Sequence, residues 1–127
     1  TGGEPSLYPL DYLTERLTER GLEIFPETSG AHELTGRFDW ICLSPKRRQP
    51  PVDSIYPRAD ELKGIVEGEE DFRWAETNAA RVAAGCRLYL QPEWSRYDRI
   101  VGPVVEYAKA NPRWNISVQA HKFMRIP

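Results

Sequence analysis

Residues 62–90, LKGIVEGEEDFRWAETNAARVAAGCRLYL, decide the fold. Leu62 to Glu67 is a short, mostly apolar run, which is typical of a β-strand. Glu69 to Ala84 repeats apolar residues at the period of an α-helix, and its first turn is acidic, which suits the positive end of the helix dipole. Arg87 to Leu90 is a second apolar run. A strand, a helix and a strand with short links predict two neighbouring parallel strands.

Outside this stretch the same alternation of helix and strand continues. Before it, the pattern predicts a helix at Ser6 to Arg20 and strands at Leu22 to Phe25 and Phe38 to Leu43. After it, the pattern predicts a helix at Tyr97 to Ala110 and a last strand at Trp114 to Gln119, followed by a polar tail. We therefore expect an α/β fold, in which helices flank a sheet of parallel strands.

Residues 1–127 are predicted to form one domain, because the length suits a single domain and no linker interrupts the pattern. The sequence has 17 Lys and Arg and 19 Asp and Glu, so its net charge is −2. Proteins that bind nucleic acid usually have a basic excess, so we expect no nucleic-acid partner. No apolar run approaches the roughly 18 residues of a membrane helix, so we expect no membrane partner. Arg47 to Arg58 contains three prolines and is predicted to be a surface loop.

The two cysteines, Cys42 and Cys86, are too few for a disulfide framework, which favours a reducing compartment, the cytoplasm. Their separation matches no metal-binding spacing, so we expect two buried thiols and no metal ligand within the chain. The sequence also lacks a P-loop and a Gly-x-Gly-x-x-Gly motif, so it gives no support for the binding of nucleotide phosphates.

Polar clusters follow the predicted strands, at the point where each strand ends. Ligands of parallel α/β folds bind at the carboxyl ends of the strands, so these clusters predict one composite site. The last cluster contains His121, which could be a hydrogen-bonding ligand, an acid–base group or a structural histidine. The five clusters are Thr1-Gly2-Gly3-Glu4-Pro5, Glu27-Thr28-Ser29-Gly30, Ser44-Pro45-Lys46, Gln91-Pro92-Glu93-Trp94 and Gln119-Ala120-His121-Lys122.

Three of the clusters offer further groups for a ligand, and each has a plainer alternative. Gly3 lets the backbone approach a ligand closely, and Glu4 could accept a hydrogen bond from an ammonium group; the alternative is an ordinary turn. Ser44 and Lys46 could hold a carboxylate or a hydroxyl group; the alternative is a solvated strand end. Gln91 could offer its amide to a ribose or a base; here too the alternative is a turn.

Five segments, in order and with suitable spacing, match a known family. Gly2-Gly3-Glu4-Pro5 matches the Gly-Gly-Glu-Pro motif of radical S-adenosylmethionine enzymes. Within that superfamily, the sequence resembles the 7-carboxy-7-deazaguanine synthases. The other four segments that resemble this family are Trp40 to Lys46, Ala59 to Lys63, Leu88 to Pro92 and Trp114 to Pro127, of which the last is the most specific.

The resemblance implies a fold and a set of site residues. The implied fold is the C-terminal part of a partial (β/α) barrel. Gly3 and Glu4 would meet the amino group of S-adenosylmethionine. Seven further residues would contact this cofactor and three would contact the substrate: for the cofactor, Ser44, Pro45, Lys46, Gln91, Pro92, Glu93 and Trp94, and for the substrate, Thr1, His121 and the terminal carboxylate of Pro127.

The resemblance also implies a reaction. In it, 6-carboxy-5,6,7,8-tetrahydropterin loses ammonia and its ring contracts to give 7-carboxy-7-deazaguanine, in the biosynthesis of queuosine, a tRNA modification, and of other deazapurines. The implied cofactors are S-adenosylmethionine, a [4Fe-4S] cluster and Mg²⁺. The implied partners are the pterin substrate, a second copy of the chain in a homodimer, and an electron donor such as flavodoxin.

The sequence departs from this family at the cluster. The three cysteines that hold the cluster in the family precede the Gly-Gly-Glu-Pro motif, and this sequence begins at that motif. We therefore expect the cluster ligands and the Mg²⁺ ligand to lie outside residues 1–127, with no catalytic or metal-binding residue inside them. These residues alone are expected to be inactive and to leave one sheet edge unpaired. Two alternatives remain: a radical enzyme that activates a glycyl-radical protein, and a non-catalytic binding subunit.

Overall fold

The computed structural model describes residues 3–126. These residues form one β-sheet with flanking helices. All five strands are parallel, and their order across the sheet follows the sequence. The predicted α/β class with a parallel sheet is therefore confirmed. The strands are β1 (Glu27–Thr28), β2 (Cys42–Leu43), β3 (Glu61–Val66), β4 (Arg87–Pro92) and β5 (Trp114–Ile116); the helices are α1 (Asp11–Thr18), α2 (Glu69–Ala79), α3 (Tyr97–Ala110) and α4 (Ala120–Met124).

The pair β3 and β4 is the centre of the sheet, as the stretch 62–90 predicts. Six residues of each strand are in register, from Glu61 opposite Arg87 to Val66 opposite Pro92. Alternate residues of β3 are buried beneath α2, and Gly64 lets that helix come close, because a Cβ added there would lie 3.1 Å from the Cβ of Ala75. The other face of β3, which includes Lys63, is only partly buried. Helices α2 and α3 therefore cover one face of the sheet, and Lys63 lies on the other face.

One predicted strand is wrong, because Leu22 to Phe25 does not join the sheet. The backbone of Ile24 bonds instead with Asp39, to its side chain over 2.8 Å and to its N–H over 3.0 Å. Leu22 and Phe25 are exposed, so these apolar residues do not belong to the core. The strand β1 begins only after Pro26, whose carbonyl accepts a hydrogen bond from the Cys42 N–H over 3.0 Å.

Several predicted boundaries move. The helix expected from Ser6 to Arg20 is divided into a 3-10 turn at Pro5–Leu7 and α1, because Pro9 forces extended backbone at Tyr8, which precedes it. The predicted loop Arg47 to Arg58 contains a second 3-10 turn, Asp53–Arg58. The polar tail folds into α4, which ends at Arg125 in a left-handed conformation with φ of 53°.

The other boundaries shift by a few residues. The second strand is shorter than predicted, α2 ends at Ala79, and β5 ends at Ile116, whereas α3 has the predicted bounds. None of the helices in residues 3–126 is long and apolar enough to span a bilayer.

Candidate functional site

Two clefts lie at the carboxyl ends of the strands, and together they contain six of the ten predicted site residues that the structure describes. The first cleft, of about 520 Å³, is lined by Gly3, Glu4, Ser44 and Lys46, with the end of β1 beneath them. The second cleft, of about 770 Å³, is lined by residues near the end of β4, after β5 and in α4: Gln91, Ser117, Val118, Gln119, Ala120, His121, Lys122 and Ile126, with Glu27 and Lys63. The structure thus divides the predicted composite site into two neighbouring clefts.

The wall of the first cleft is a glycine followed by a carboxylate. Gly3 has a φ of 86°, a left-handed conformation that L side chains rarely adopt, and no atom lies within 4 Å of where its Cβ would be. Its backbone is therefore open to a ligand. The next residue, Glu4, points its carboxylate toward the end of β1.

The Glu4 carboxylate accepts five hydrogen bonds. Its Oε1 atom accepts from the Ser6 N–H over 3.1 Å, the Ser6 hydroxyl over 2.7 Å and the Thr28 hydroxyl over 2.5 Å. Its Oε2 atom accepts from the Ser29 N–H over 2.7 Å and the Ser29 hydroxyl over 2.6 Å. Partial burial alone would raise the pKa of Glu4, but the bonds from Ser29, Thr28 and Ser6 outweigh it and lower the pKa to about 2. The carboxylate is therefore ionised across the physiological range.

The opposite wall of the first cleft comes from the loop after β2. Ser44 is buried, and its hydroxyl accepts a hydrogen bond from the Lys46 ammonium over 2.9 Å. Burial of the amine lowers the pKa of Lys46, although the nearby Glu27 opposes that change. Between them, Pro45 is buried, and its carbonyl accepts from the Trp74 indole over 3.3 Å. A cation and an anion thus face the same cleft, an arrangement that suits a zwitterionic ligand.

The ion pair between Glu27 and Lys63 is a site feature that the sequence analysis missed. Glu27 lines both clefts, and its Oε2 atom lies 2.7 Å from the Lys63 ammonium. The Lys63 side chain is only 13% exposed. A lysine in the middle of a predicted apolar strand was the available clue, because such a residue needs an acidic partner.

Gln91 belongs to the second cleft, with the predicted substrate contact His121, and not to the first cleft. Its side chain is 6% exposed, and its Oε1 atom accepts from the Ser117 hydroxyl over 3.1 Å. His121 lies on α4, and its carbonyl accepts from the Ile126 N–H over 3.1 Å, which folds the chain back toward the cleft. The second cleft therefore offers an amide, an imidazole and the Lys63 ammonium.

The rest of the Gln91-Pro92-Glu93-Trp94 cluster lies outside both clefts. Glu93 caps a 3-10 turn, Trp94–Arg96, by accepting from the Ser95 N–H over 3.0 Å, and bonds with Ser95 lower the pKa of Glu93. The Trp94 ring meets the edge of Phe123 at 5.0 Å and so connects this turn to α4. Thr1 and Pro127, the other two predicted substrate contacts, lie outside the described residues.

The cysteines are free, half-buried thiols, and neither of them lines either cleft. Burial raises the pKa of Cys42 to about 12 and that of Cys86 to about 11, so both are protonated at neutral pH. Cys42 donates to the Glu61 carboxylate, with Sγ 3.4 Å from Oε1. Within residues 3–126, no three side chains of His, Cys, Asp or Glu are grouped so as to hold a metal ion.

Comparison with known proteins confirms the resemblance seen in the sequence. The chain is 44% identical over 127 residues to the 7-carboxy-7-deazaguanine synthase of Flavobacterium psychrophilum, and 44% identical over 126 residues to that of Synechocystis sp.. All of the chain matches the first of these proteins and 99% of it matches the second. The chain spans about 60% of the length of each relative. No family model matches.

A solved structure supports the fold. The crystal structure of QueE from Escherichia coli superposes with a TM-score of 0.80 and 28% sequence identity, over 94% of this chain and 54% of that one. The parallel α/β arrangement is thus shared with a longer protein.

Proposed function

We propose that this chain is part of a radical S-adenosylmethionine enzyme, a 7-carboxy-7-deazaguanine synthase, and corresponds to the C-terminal part of its single core domain. The observation that supports this most strongly is the 44% identity, over the whole chain, to proteins of that name. The activity is the ring contraction of 6-carboxy-5,6,7,8-tetrahydropterin. These relatives give no support to an enzyme that activates a glycyl-radical protein.

The first cleft is the proposed site of the amino-acid part of S-adenosylmethionine. The Gly3–Glu4 wall would face the ammonium group, and Ser44 with Lys46 would face a carboxylate or a ribose hydroxyl. When bound, this cofactor and a reduced [4Fe-4S] cluster supply the radical chemistry, while the protein supplies position and exclusion of water. Pro45 shapes this wall, and Gln91, Pro92, Glu93 and Trp94 are proposed to contact the rest of the cofactor.

The [4Fe-4S] cluster does not fit the residues of this chain. Such a cluster needs three protein thiolates, but the sequence has only two cysteines, and both are protonated at neutral pH. The proposed cluster ligands are therefore cysteines outside these 127 residues. The Mg²⁺ ligand is also proposed to lie outside them, as the resemblance to the family implies.

The second cleft is the proposed site of the pterin substrate. A carboxylated pterin has acceptor atoms on its carboxylate and its 4-oxo group, and the Lys63 ammonium and the Gln91 amide can donate to such atoms. His121 can donate or accept. Thr1 and the carboxylate of Pro127 are proposed to complete this site.

The wider setting is part of the same proposal. The enzyme would be a cytoplasmic homodimer that receives electrons from a donor such as flavodoxin and serves the synthesis of queuosine or another deazapurine. A negative net charge gives no support for a nucleic-acid partner.

A chimera tests the proposed activity. In it, residues 1–127 replace the matching segment of the Flavobacterium psychrophilum relative, which is 44% identical. With iron, sulfide, reductant, Mg²⁺ and S-adenosylmethionine, the chimera is expected to make 7-carboxy-7-deazaguanine, and the isolated chain is expected to make none above a blank without protein. A folded chimera that holds its cluster but stays inactive, beside an active parent, would reject the proposal.

The two histidines provide matched variants of the chimera. His121→Ala removes a side chain that lines the second cleft, so it should raise the KM for the pterin. His32→Ala removes a side chain that lines neither cleft and lies 3.4 Å from Gln49, so it should change neither KM nor kcat. Micromolar binding of S-adenosylmethionine by the isolated chain, without activity in the chimera, would favour the non-catalytic binding subunit.

A further inference from the structure

The hydrogen bonds between Glu4 and the end of β1 have a fixed direction. The Thr28 hydroxyl accepts from the Gly30 N–H over 3.0 Å, so its own proton is directed to the Glu4 Oε1 atom. The Ser29 hydroxyl accepts from the Ala31 N–H over 3.4 Å and donates to the Glu4 Oε2 atom. Both serine and threonine therefore act as donors to the carboxylate, and neither can rotate away without losing a second bond.

These donors also saturate the carboxylate. Two carboxylate oxygens offer about four lone-pair directions, and they already receive five donors. A ligand ammonium group could bond to the Glu4 side chain only in place of one of them. Glu4 is consequently suited to holding the backbone on either side of it, including Gly3, against the end of β1.

Burial supports the same conclusion. Thr28 is 1% exposed, so an unpaired hydroxyl or carboxylate oxygen at this position would have little water to bond with. Thr28 and Ser29 are 24 and 25 residues away from Glu4 in sequence, so the bonds connect separate segments of the chain. Without them, the hydrogen bonds of Glu4 within residues 3–126 are local ones, with Ser6 and with the Leu7 N–H.

We propose that Thr28 and Ser29 are positioning residues of the first cleft: through their hydroxyl groups they hold the Glu4 carboxylate, and with it the Gly3 backbone, in the geometry that a ligand ammonium group meets. This role rests on the proposed function only for the identity of the ligand. The hydrogen bonds from Thr28 and Ser29 to Glu4 are present in the chain whatever the ligand is. Thr28 and Ser29 touch no reacting group in this proposal and act through Glu4.

The first experiment measures the pKa of Glu4 in the isolated chain, by NMR titration of its side-chain carboxyl carbon. The wild type should titrate near the value of about 2. Thr28→Val and Ser29→Ala should each raise the pKa of Glu4, and the double variant should raise it further toward the ordinary glutamate value of about 4.3, although the bonds from Ser6 and the Ser29 N–H remain. Thr28→Ser keeps the hydroxyl and should leave the pKa of Glu4 unchanged.

Thr77→Val is the matched control. Thr77 lies on the exposed side of α2, where its hydroxyl bonds only with the Arg73 carbonyl within the same helix. This substitution should not move the pKa of Glu4. A double variant Thr28→Val/Ser29→Ala that keeps the folded circular dichroism spectrum and the wild-type pKa of Glu4 would overturn the proposal. If the double variant does not fold, the two single variants decide the matter by the same criterion.

The second experiment measures the affinity for S-adenosylmethionine between pH 4 and pH 8, by calorimetry on the chimera. Thr28→Val should weaken binding about tenfold, since a hydrogen bond to a charged group is lost, and should make the affinity fall further as the pH decreases. Thr28→Ser should restore both. A wild-type chimera that does not bind this cofactor, with the pKa changes as expected, would reject the proposed function and leave the positioning role supported.

Discussion

Trp114 on β5 donates its indole N–H to the Oε1 atom of Glu76 on α2, over 2.7 Å. The same oxygen accepts from the Tyr107 hydroxyl of α3 over 2.8 Å, and the other carboxylate oxygen bonds with Arg113. One glutamate thus connects two helices and the last strand on the covered side of the sheet. It lies far along the chain from all of its partners, so it fixes how these elements pack.

Glu76→Ala should therefore lower the free energy of unfolding by about 2–3 kcal/mol, because two partly buried donors lose their acceptor. Urea unfolding followed by circular dichroism measures this. Glu106→Ala is the control, since Glu106 pairs only with the exposed Lys109 and its removal should cost less than about 0.5 kcal/mol. Equal costs for the two variants would contradict the structural role of Glu76.

Two glycine substitutions should differ in their effect on stability, because only Gly64 lies in the contact between β3 and α2. Gly64→Ala should lower stability by about 1 kcal/mol or more, because the new methyl group meets Ala75 at 3.1 Å and the Leu90 side chain at 3.4 Å. Gly102→Ala should change stability by less than about 0.5 kcal/mol, because the new methyl group meets open space and the helix preference of alanine is offset by Pro103, which disfavours helical backbone at the residue before it. The same unfolding experiment tests both, and a stabilising Gly64→Ala would show that the two elements are not in close contact.

Cys42 should react slowly with iodoacetamide. With a pKa of about 12, its thiolate is so scarce at pH 8 that the rate should be at least about a hundredfold below that of a free cysteine. The Glu61 carboxylate raises that pKa and the Lys63 ammonium lowers it. Glu61→Gln should therefore speed alkylation, and Lys63→Met should slow it.

The alkylation test uses a Cys86→Ser background, so that only Cys42 reacts, and mass spectrometry gives the rate. Opposite changes in the two variants support an electrostatic cause. If both variants react faster, increased exposure of β2 is the cause and the prediction is wrong.

Acid should destabilise the protein through Glu4. Its pKa is about 2 in the folded chain and ordinary when unfolded, so the unfolded state binds the proton first as the pH falls. The stability that ionised Glu4 gives is complete above about pH 4.5 and is lost progressively toward pH 2. Glu4→Gln should be less stable at pH 6 and should depend less on pH between 5 and 3. Urea unfolding at these pH values measures the difference, and an identical pH dependence in both proteins would contradict the prediction.

The central elements of the fold could be predicted because local pattern and tertiary packing agree there. In residues 62–90 the apolar period, the acidic first turn and the short links all indicate one strand–helix–strand unit, and α3 has the predicted bounds. Leu22 to Phe25 misled the prediction because exposed apolar residues imitate a strand, whereas pairing with Asp39 determines the backbone there. The helix α4 was not predicted, because its five residues form less than two turns and have no clear apolar period.

Only those site residues could be predicted whose position follows from the order of the strands and polar clusters along the chain. Parallel strands place their carboxyl ends together, so the convergence of Gly3, Glu4, Ser44 and Lys46 followed from the order of strands and polar clusters. The donors to Glu4 could not be found in this way, because Thr28 and Ser29 look like an ordinary turn until the chain is folded. The ion pair of Lys63 with Glu27 also depends on strand register, which the sequence alone does not determine.

The position of Glu27 has one more consequence. Its carboxylate belongs to the walls of both clefts and is held by Lys63. A molecule that attracts, repels or turns this carboxylate in one cleft changes the electric field in the other. Occupancy of the two clefts is then linked by a single free energy, and thermodynamics requires that each ligand alter the affinity of the other by the same factor.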